Sequence, residues 1–474
     1  GKVKNFKSKD LELRFGKGAY VNGSIYVSGL PEIEETFMNF DCKNAAFTEK
    51  DINYLFPEAI LPEQFSNLGL VDFKGKFTGF INDFVAYGKF NSKLGQITTD
   101  INLKNALYSE KSEYKGELTI KDFDLGKFIE TPSLGSFSFE GNINGKSFDV
   151  QTMRAELNAR IPYFEYNDYR YRNIALNGDL FKLIYTGDFI VNDPNLSLLA
   201  AGSYNLNEGK EELKSVVQVK DANLYELKIS TDTFYFNGDF VADIQGNDIN
   251  KATGSISMND AYFQISDKII QLDTLMAISS FEENQKLLTV ESNLMNAELK
   301  GNYDLTTIHL LAIEAAKKVT GERFLKKFPS PPENQTLEFN LNLVNTQFLI
   351  ELFQDDYDIA DGTKINGRIS TNQDSLEIQA NIPFFKFKEY YFQKAKVNMK
   401  GKGSDIELYS TLQEFKIEDS IWLTNLRFDI NAEDLKGQLS IAGSDKFKKN
   451  HASLNADYAF RSEELTLALN ESEL

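Results

Sequence analysis

The sequence has 474 residues, with 51 Lys and Arg against 70 Asp and Glu, and a formal net charge of −19. This acidity argues against a nucleic acid as partner, because phosphate binding depends on clustered Lys and Arg. The 38 Phe and 21 Tyr argue against a disordered chain. With one Cys and two His, the chain has few residues that could form a catalytic thiol, a catalytic imidazole or a zinc site.

Apolar residues alternate with polar ones along most of the chain, from Leu11 to Ile430. A period of two is typical of strands that have one buried and one solvated face. We expect the apolar positions to form one continuous lining. The candidate lining residues are Phe73, Phe77, Ile97, Ile101, Phe137, Phe139, Ile143, Phe234, Phe236, Phe240, Ile244, Leu337, Phe339, Leu341, Ile406, Leu408, Phe428 and Ile430.

Turn and helix signals punctuate the predicted strands. Asn-Gly pairs suit the positive φ angles of tight hairpins, although bulges also accept them. The pairs are Asn22-Gly23, Asn144-Gly145, Asn177-Gly178, Asn237-Gly238 and Asn366-Gly367. A short helix is predicted to begin at Thr48, with Asp51 three residues later as a weak capping box. A longer helical insertion is predicted over residues 303–329, where prolines follow.

An internal repeat indicates how the chain is organised. An apolar strand reaches Asp122, a second reaches Asp221 and a third reaches Asn345. The aromatic pairs Tyr163-Phe164, Tyr262-Phe263 and Phe384-Phe385 follow these residues at distances of 41, 41 and 39 positions. The pattern predicts one continuous repetitive body over residues 1–474. Its sub-repeats are predicted at 1–105, 106–205, 206–302 and 330–474, with the insertion 303–329 between the last two.

The fold class predicted from these patterns is all-β, with a few short helices. We expect a long repetitive antiparallel sheet curled lengthwise, so that its apolar face lines a hydrophobic groove. At about 12 residues for each strand and its turn, the chain would supply about 35 to 40 strands. An array of separate β-sandwiches, each with its own core, is the alternative.

Several stretches resemble the TamB branch of the AsmA-like proteins, in its Bacteroidota form. The most specific stretch runs from Gly75 to Gly88 and continues in Leu94-Gly95 and Asp100-Ile101-Asn102-Leu103. The opening run Val3-Lys4-Asn5-Phe6-Lys7, the run from Asp10 to Gly16 and the run from Gly29 to Phe37 are similar to the same family. So are Lys127-Phe128, Leu134-Gly135, Gly141 and the segment from Tyr163 to Asn177.

The resemblance implies a β-taco groove that spans the periplasm and carries phospholipid between the inner and outer membranes. It also implies a link to outer-membrane protein assembly, with a TamA-type barrel as partner and an N-terminal anchor in the inner membrane. The chain lacks a recognisable anchor and C-terminal domain, so we expect it to be a fragment of a longer protein.

Motifs for catalysis or cofactor binding are weak. Gly145-Lys146-Ser147 looks like the end of a P-loop, but Glu140 stands where the loop needs glycine, which favours a structural turn. The acidic run Asp355, Asp356, Asp358 and Asp361 departs from the calcium-loop spacing, which favours a solvated loop. We therefore expect no enzyme, no metal and no cofactor.

Three functional hypotheses follow. In the first, the chain is a conduit in which a phospholipid or another acyl-chain lipid lies along the apolar lining. In the second, it is a non-enzymatic assembly scaffold that binds a TamA-type barrel or client strands through a free sheet edge. A surface array of β-sandwiches is a third alternative.

Overall fold

The computed structural model shows an all-β chain in which one antiparallel sheet has 28 strands in the described residues and is not closed into a barrel. The described residues are 4–16, 18–55, 63–106, 109–149, 151–231, 233–265, 268–311, 313–314, 329–347, 357–417, 421–433, 436–461 and 464–473. The all-β prediction is confirmed. The estimate of 35 to 40 strands exceeds the 28 strands found in the described residues, where many strands are 12 or 13 residues long and helical segments take up part of the chain.

The chain divides into two compact units, Gly1–Asn237 and Gly238–Leu474, and the division falls inside β14 (Phe234–Gln245). The strands of unit 1 are β1 Asn5–Phe15, β2 Ala19–Ser28, β3 Phe37–Phe47, β4 Val71–Phe80, β5 Asp83–Ser92, β6 Gly95–Lys104, β7 Glu113–Asp124, β8 Leu134–Lys146, β9 Arg154–Tyr166, β10 Tyr169–Phe181, β11 Ile184–Asp193, β12 Leu196–Asn205 and β13 Glu212–Asn223. The strands of unit 2 are β15 Thr253–Ile265, β16 Lys268–Glu282, β17 Gln285–Ser292, β18 Met295–Asn302, β19 Thr336–Leu343, β20 Tyr357–Ile359, β21 Lys364–Ser370, β22 Ser375–Phe387, β23 Tyr390–Lys402, β24 Asp405–Ile417, β25 Ile421–Glu433, β26 Lys436–Asp445, β27 His451–Arg461 and β28 Glu464–Leu469.

Within each unit, strands that follow one another in the sequence pair with one another. In unit 1, β1 to β13 form an uninterrupted antiparallel series. Unit 2 departs from this order at one place, where β19 pairs with β21, and β20 lies beside the end of β22. This continuous pairing contradicts the alternative of separate sandwiches. The predictions of sub-repeat boundaries and of one continuous body stay predictions.

The tight turns do not lie where the Asn-Gly pairs predicted them. All five pairs fall inside strands, and Asn22-Gly23 marks an irregularity in the pairing of β2 with β3. Two-residue turns with positive φ at both positions occur instead at Asn167-Asp168, Lys182-Leu183 and Glu283-Asn284. The sequence signal for the last two turns is weak, because Lys, Leu and Glu rarely adopt a positive φ, whereas Asn167-Asp168 has residue types that accept it.

Short helices connect some of the strands. They are α1 (Glu49–Leu55), α2 (Leu125–Ile129) and the 3₁₀ helices Ile33–Glu35, Glu63–Leu68 and Ser109–Lys111. The capping prediction for α1 is confirmed, since the Asp51 carboxylate accepts hydrogen bonds from the backbone N–H and the hydroxyl of Thr48 at 2.9 and 2.7 Å. No helix among the described residues is long and apolar enough to cross a membrane.

Two copies of the repeat have the same local geometry. Asp122 and Asp221 adopt φ angles of 49° and 51°. Each donates its backbone N–H to a side chain 16 residues later, at 3.1 Å to Ser138 Oγ and at 2.9 Å to Asn237 Oδ1. At Asp122 the left-handed residue lies in a bulge near the end of its strand, and in both copies a side chain of the next strand satisfies the N–H.

Both copies then start a helical turn in the same way. The carboxylate of Asp124 accepts a hydrogen bond from Lys127 N at 2.9 Å, and the side chain of Asn223 accepts one from Glu226 N at 3.2 Å. Each side chain satisfies an N–H group that has no partner in the first turn of a helix. The third copy differs, because Asn345 Oδ1 accepts from Gln347 N, two residues later, at 3.0 Å.

The predicted insertion 303–329 is described only in its first part. Residues 308–311 and 313–314 are helical, and most of the remainder lies outside the described residues. The described part packs on the sheet of unit 2, where Tyr303 and Leu311 join the core formed by Leu337, Phe339 and Ile369.

We expect Asp124→Ala to open α2, because the variant loses the side-chain acceptor for Lys127 N. A lost N-cap costs about 1 kcal/mol, which corresponds to about fivefold faster amide hydrogen exchange in residues 125–129. Asp124→Asn is the matched control, since Asn223 fills the equivalent position in the second copy. If Asp124→Asn exchanges as fast as the Ala variant, the ion pair with Lys127 matters more than the cap.

Candidate functional site

The candidate site is the side of the sheet that carries Phe73, Phe90 and Ile97, which we call the apolar face. Residues directly opposite each other on neighbouring antiparallel strands point to the same side of a sheet. The strand register therefore aligns one apolar row across unit 1. This first row contains Ala45, Phe73, Phe90, Ile97, Ile120 and Phe139.

A second row lies parallel to the first on the same face of unit 1. It contains Ile25, Phe40, Phe77, Ala86, Ile101, Gly116, Ile143 and Leu157. Together the two rows bring together six candidate residues, with Phe73, Ile97 and Phe139 in the first and Phe77, Ile101 and Ile143 in the second.

Small residues separate the two rows. The register places Gly75 opposite Gly88, and Gly88 opposite Thr99. A Cβ atom on Gly88 would lie 3.0 Å from the ring of Phe90 and 3.1 Å from that of Phe73, because both rings lean over this glycine. Aromatic rings cover glycines in other sheets in a similar way. Sequence reasoning missed these glycines, whose only signal is their place two residues from a Phe.

The remaining candidates of unit 1 lie at strand ends. Phe137 is paired with Phe123, and their ring centroids are 6.1 Å apart. Phe234 and Phe236 lie on the part of β14 that belongs to unit 1. All of the unit 1 candidates are half-buried and none is fully enclosed.

This partial burial distinguishes the apolar face from a two-layer core. The largest apolar side chains that are fully buried in the described residues are Leu227 and Leu311, and neither lies on a strand. In a sandwich, large residues on the inner face of each strand are enclosed by the opposing sheet. On the apolar face of unit 1, Ile174 and Val191 are buried, whereas the residues of the two rows other than Ala45 keep part of their surface exposed, as a binding surface does.

In unit 2, the chain covers part of the apolar face itself. Leu337 and Phe339 are buried and Leu341 is half-buried, all beside Tyr303 and Leu311. Ile406 is also buried. The other candidates of unit 2 are half-buried: Phe240, Ile244, Leu408, Phe428 and Ile430. The predicted lining is therefore interrupted by a local core around Leu337, where the 303–311 segment packs on the sheet.

A buried lysine lies under the same covering segment. Lys286 is 3 % exposed, and its Nζ donates a hydrogen bond to the carbonyl oxygen of Ile249 at 2.8 Å. Burial lowers the pKa of Lys286 and raises the pKa of Tyr303 to about 12. Both shifts reflect the cost of placing a charge in apolar surroundings.

The motifs that suggested other chemistry have structural roles. Lys146 pairs with Glu113 at 2.6 Å, and Ser147 bonds to Thr152 at 2.7 Å in the turn that follows β8. Asp361 accepts hydrogen bonds from the N–H and the hydroxyl of Thr346 at 2.8 and 2.9 Å. Asp355 and Asp356 lie outside the described residues. Within the described ranges, no three His, Cys, Asp or Glu side chains converge as metal ligands would.

We expect Gly88→Val to destabilise the chain, because the new side chain displaces the rings of Phe73 and Phe90. Overpacking of this kind costs about 1 to 3 kcal/mol, measured as the free energy of urea unfolding. In a Phe73→Ala background the cost should fall by more than about 0.5 kcal/mol, as a double-mutant cycle would detect. Tyr87→Val, on the other side of β5, is the control. Equal costs in both backgrounds would contradict the contact between ring and glycine.

Comparisons of the chain with protein-family models, with curated proteins and with solved structures give no significant match.

Proposed function

We propose that this chain is a lipid conduit, in which the acyl chains of a phospholipid lie on the apolar face while the headgroup stays in water. The observation that carries the proposal is that two aligned apolar rows in unit 1 are only partly buried, Ala45 apart. A soluble protein rarely leaves so extended an apolar surface open unless a ligand or a partner covers it.

The chemistry of the surface favours a chain-like apolar ligand. An acyl chain gains about 0.8 kcal/mol for each methylene that it buries, and needs no hydrogen bonds in return. The aligned rows offer such contacts on consecutive strands, so a bound chain can move from one position to the next without a large change in energy. Movement of this kind requires neither catalysis nor nucleotide binding by the chain.

The opposite side of the sheet supports the same function. Its strand positions are rich in charged side chains, and the chain as a whole has a net charge of −19. A large net negative charge keeps a partly open β structure soluble. It also disfavours non-specific association with anionic membranes, which directs lipid contact to the apolar face.

The proposal extends to family and location. We place the chain in the TamB branch of the AsmA-like proteins, as a periplasmic fragment of a protein that links the two membranes of a Gram-negative cell. The stretch from Gly75 to Gly88 resembles that family, which supports this assignment. The long antiparallel sheet supports it too, because the family is expected to have such a sheet. A TamA-type outer-membrane barrel is the partner that this proposal implies.

We expect phospholipid to copurify with the chain and to be lost from a Phe77→Glu/Ile101→Glu variant. These two residues share one row of the apolar face, and a carboxylate there would meet the acyl chain without a hydrogen-bond partner. The penalty should reduce lipid occupancy about tenfold or more, measured by native mass spectrometry.

Val85→Glu/Tyr87→Glu is the matched control, because both residues lie on the other side of β5 and are 47 % and 45 % exposed. This control should keep its lipid, and circular dichroism should show intact strands in both variants. The conduit would be refuted if the wild-type protein carried no bound lipid and if a photoreactive residue at Phe139 or Phe236 gave no crosslink to lipid. Unfolding of the Phe77→Glu/Ile101→Glu variant would identify its two sites as ordinary core.

A further inference from the structure

Two apolar cavities lie on the apolar face of unit 1. The first, of about 310 Å³, lies between the strands and the helices of the β3–β4 connection, with Ile52, Leu68, Val71 and Phe90 in its wall. The second, of about 370 Å³, lies near the segment that joins β8 to β9, with Phe148, Met153 and Leu157 in its wall. Both volumes are at the lower end of the range of about 300 to 1,000 Å³ that is usual for ligand pockets.

The two cavities share one strand. Ile97 lines the first and Ile101 lines the second, and both belong to β6. Four residues of strand separate them, a distance of about 13 Å. Since their side chains point to the same face, the cavities open on one side of the sheet and lie towards opposite ends of its strands.

The walls of the first cavity leave little for a polar ligand to bind. Its polar members are Glu49 and Ser92. The carboxylate of Glu49 accepts a hydrogen bond from Asn53, and Ser92 Oγ accepts one from Leu94 N at 3.1 Å. A peptide is also a poor occupant, because β6 is paired on both sides and offers no free backbone groups for strand addition.

We infer that unit 1 has two separate acyl-chain subsites, one in each cavity, which together take the two chains of a single diacyl lipid. The inference rests on the proposed function and adds to it the ligand class and the position of each chain. The headgroup lies above Thr99, which stands between Ile97 and Ile101 on β6 and forms the near wall of the second cavity, on the solvent side of the apolar face. Such a site holds one lipid across the strands, whereas the aligned rows guide movement from strand to strand.

The first experiment uses the purified wild-type chain and a diacyl phosphatidylcholine with a diazirine at the end of one acyl chain. We expect crosslinks in two places, at residues 65–71 and at residues 148–157. Single-chain lysophosphatidylcholine should bind at least 100-fold more weakly, since each lost methylene costs about fourfold in affinity. Equal affinity for the two lipids would overturn the inference.

Two variants separate the subsites. Leu68→Trp fills the first cavity and Leu157→Trp fills the second, while Val85→Trp adds the same bulk on the opposite side of the sheet. Each filling variant should lose the crosslink at its own cavity by tenfold or more and keep the other. Val85→Trp should keep both crosslinks.

The outcomes also distinguish this inference from the conduit. The subsites would be refuted, but not the conduit, by either of two results. In the first, wild-type protein binds lipid that is crosslinked at neither cavity. In the second, neither filling variant changes the crosslinks. A wild-type chain that binds no lipid would overturn both. If a filling variant fails to fold, the test is the affinity of the wild-type chain for lipids whose two acyl chains are shortened separately. A fourfold loss of affinity for each methylene removed from either chain supports the subsites. An affinity that does not depend on chain length refutes them.

Discussion

The structure depends on one constraint, which is that a strand pairs through its backbone with the strands next to it in the sequence. Pairing places opposite residues on the same side, so the side on which Phe73 lies also determines where Phe90 and Ile97 lie. A slip of one residue would turn every apolar side chain of a strand to the solvated side. The alternation in the sequence is therefore enough to produce a continuous apolar face within each unit.

The same constraint explains why burial is incomplete. A single layer of strands satisfies its backbone hydrogen bonds without covering its apolar side chains, and the rings of unit 1 compensate only locally by leaning over Gly75 and Gly88. Full burial occurs where a helical segment adds a second layer, as at Leu311 in unit 2. In unit 1 the residues of the two rows, apart from Ala45, stay only partly buried, and they form the surface to which the proposed ligand binds.

The sequence predicted those features that follow from a period of two. The all-β class and the common face of Phe73 and Ile97 are of this kind, whereas the likeness of the segments at Asp122 and Asp221 was indicated by the internal repeat. Features that depend on tertiary contacts could not be predicted from the sequence. The Asn-Gly pairs gave no hairpins, because glycines such as Gly145 were needed inside strands, under a ring such as that of Tyr114. Nor could alternation reveal that Leu337 is covered, since its cover comes from residues more than 20 positions away.

The turn at Lys182-Leu183 has a consequence for how such a chain can change in length. Neither residue is glycine, yet both hold a positive φ, so the hairpin between β10 and β11 is imposed by the paired strands and not by its own residues. Because each strand of the described residues pairs with its neighbours in the sheet, a duplicated hairpin would bring its own pairing partners with it. It would also return the chain to the same edge of the sheet with its side-chain alternation intact. Growth by whole hairpins would then extend the apolar surface without redesign of the strands on either side.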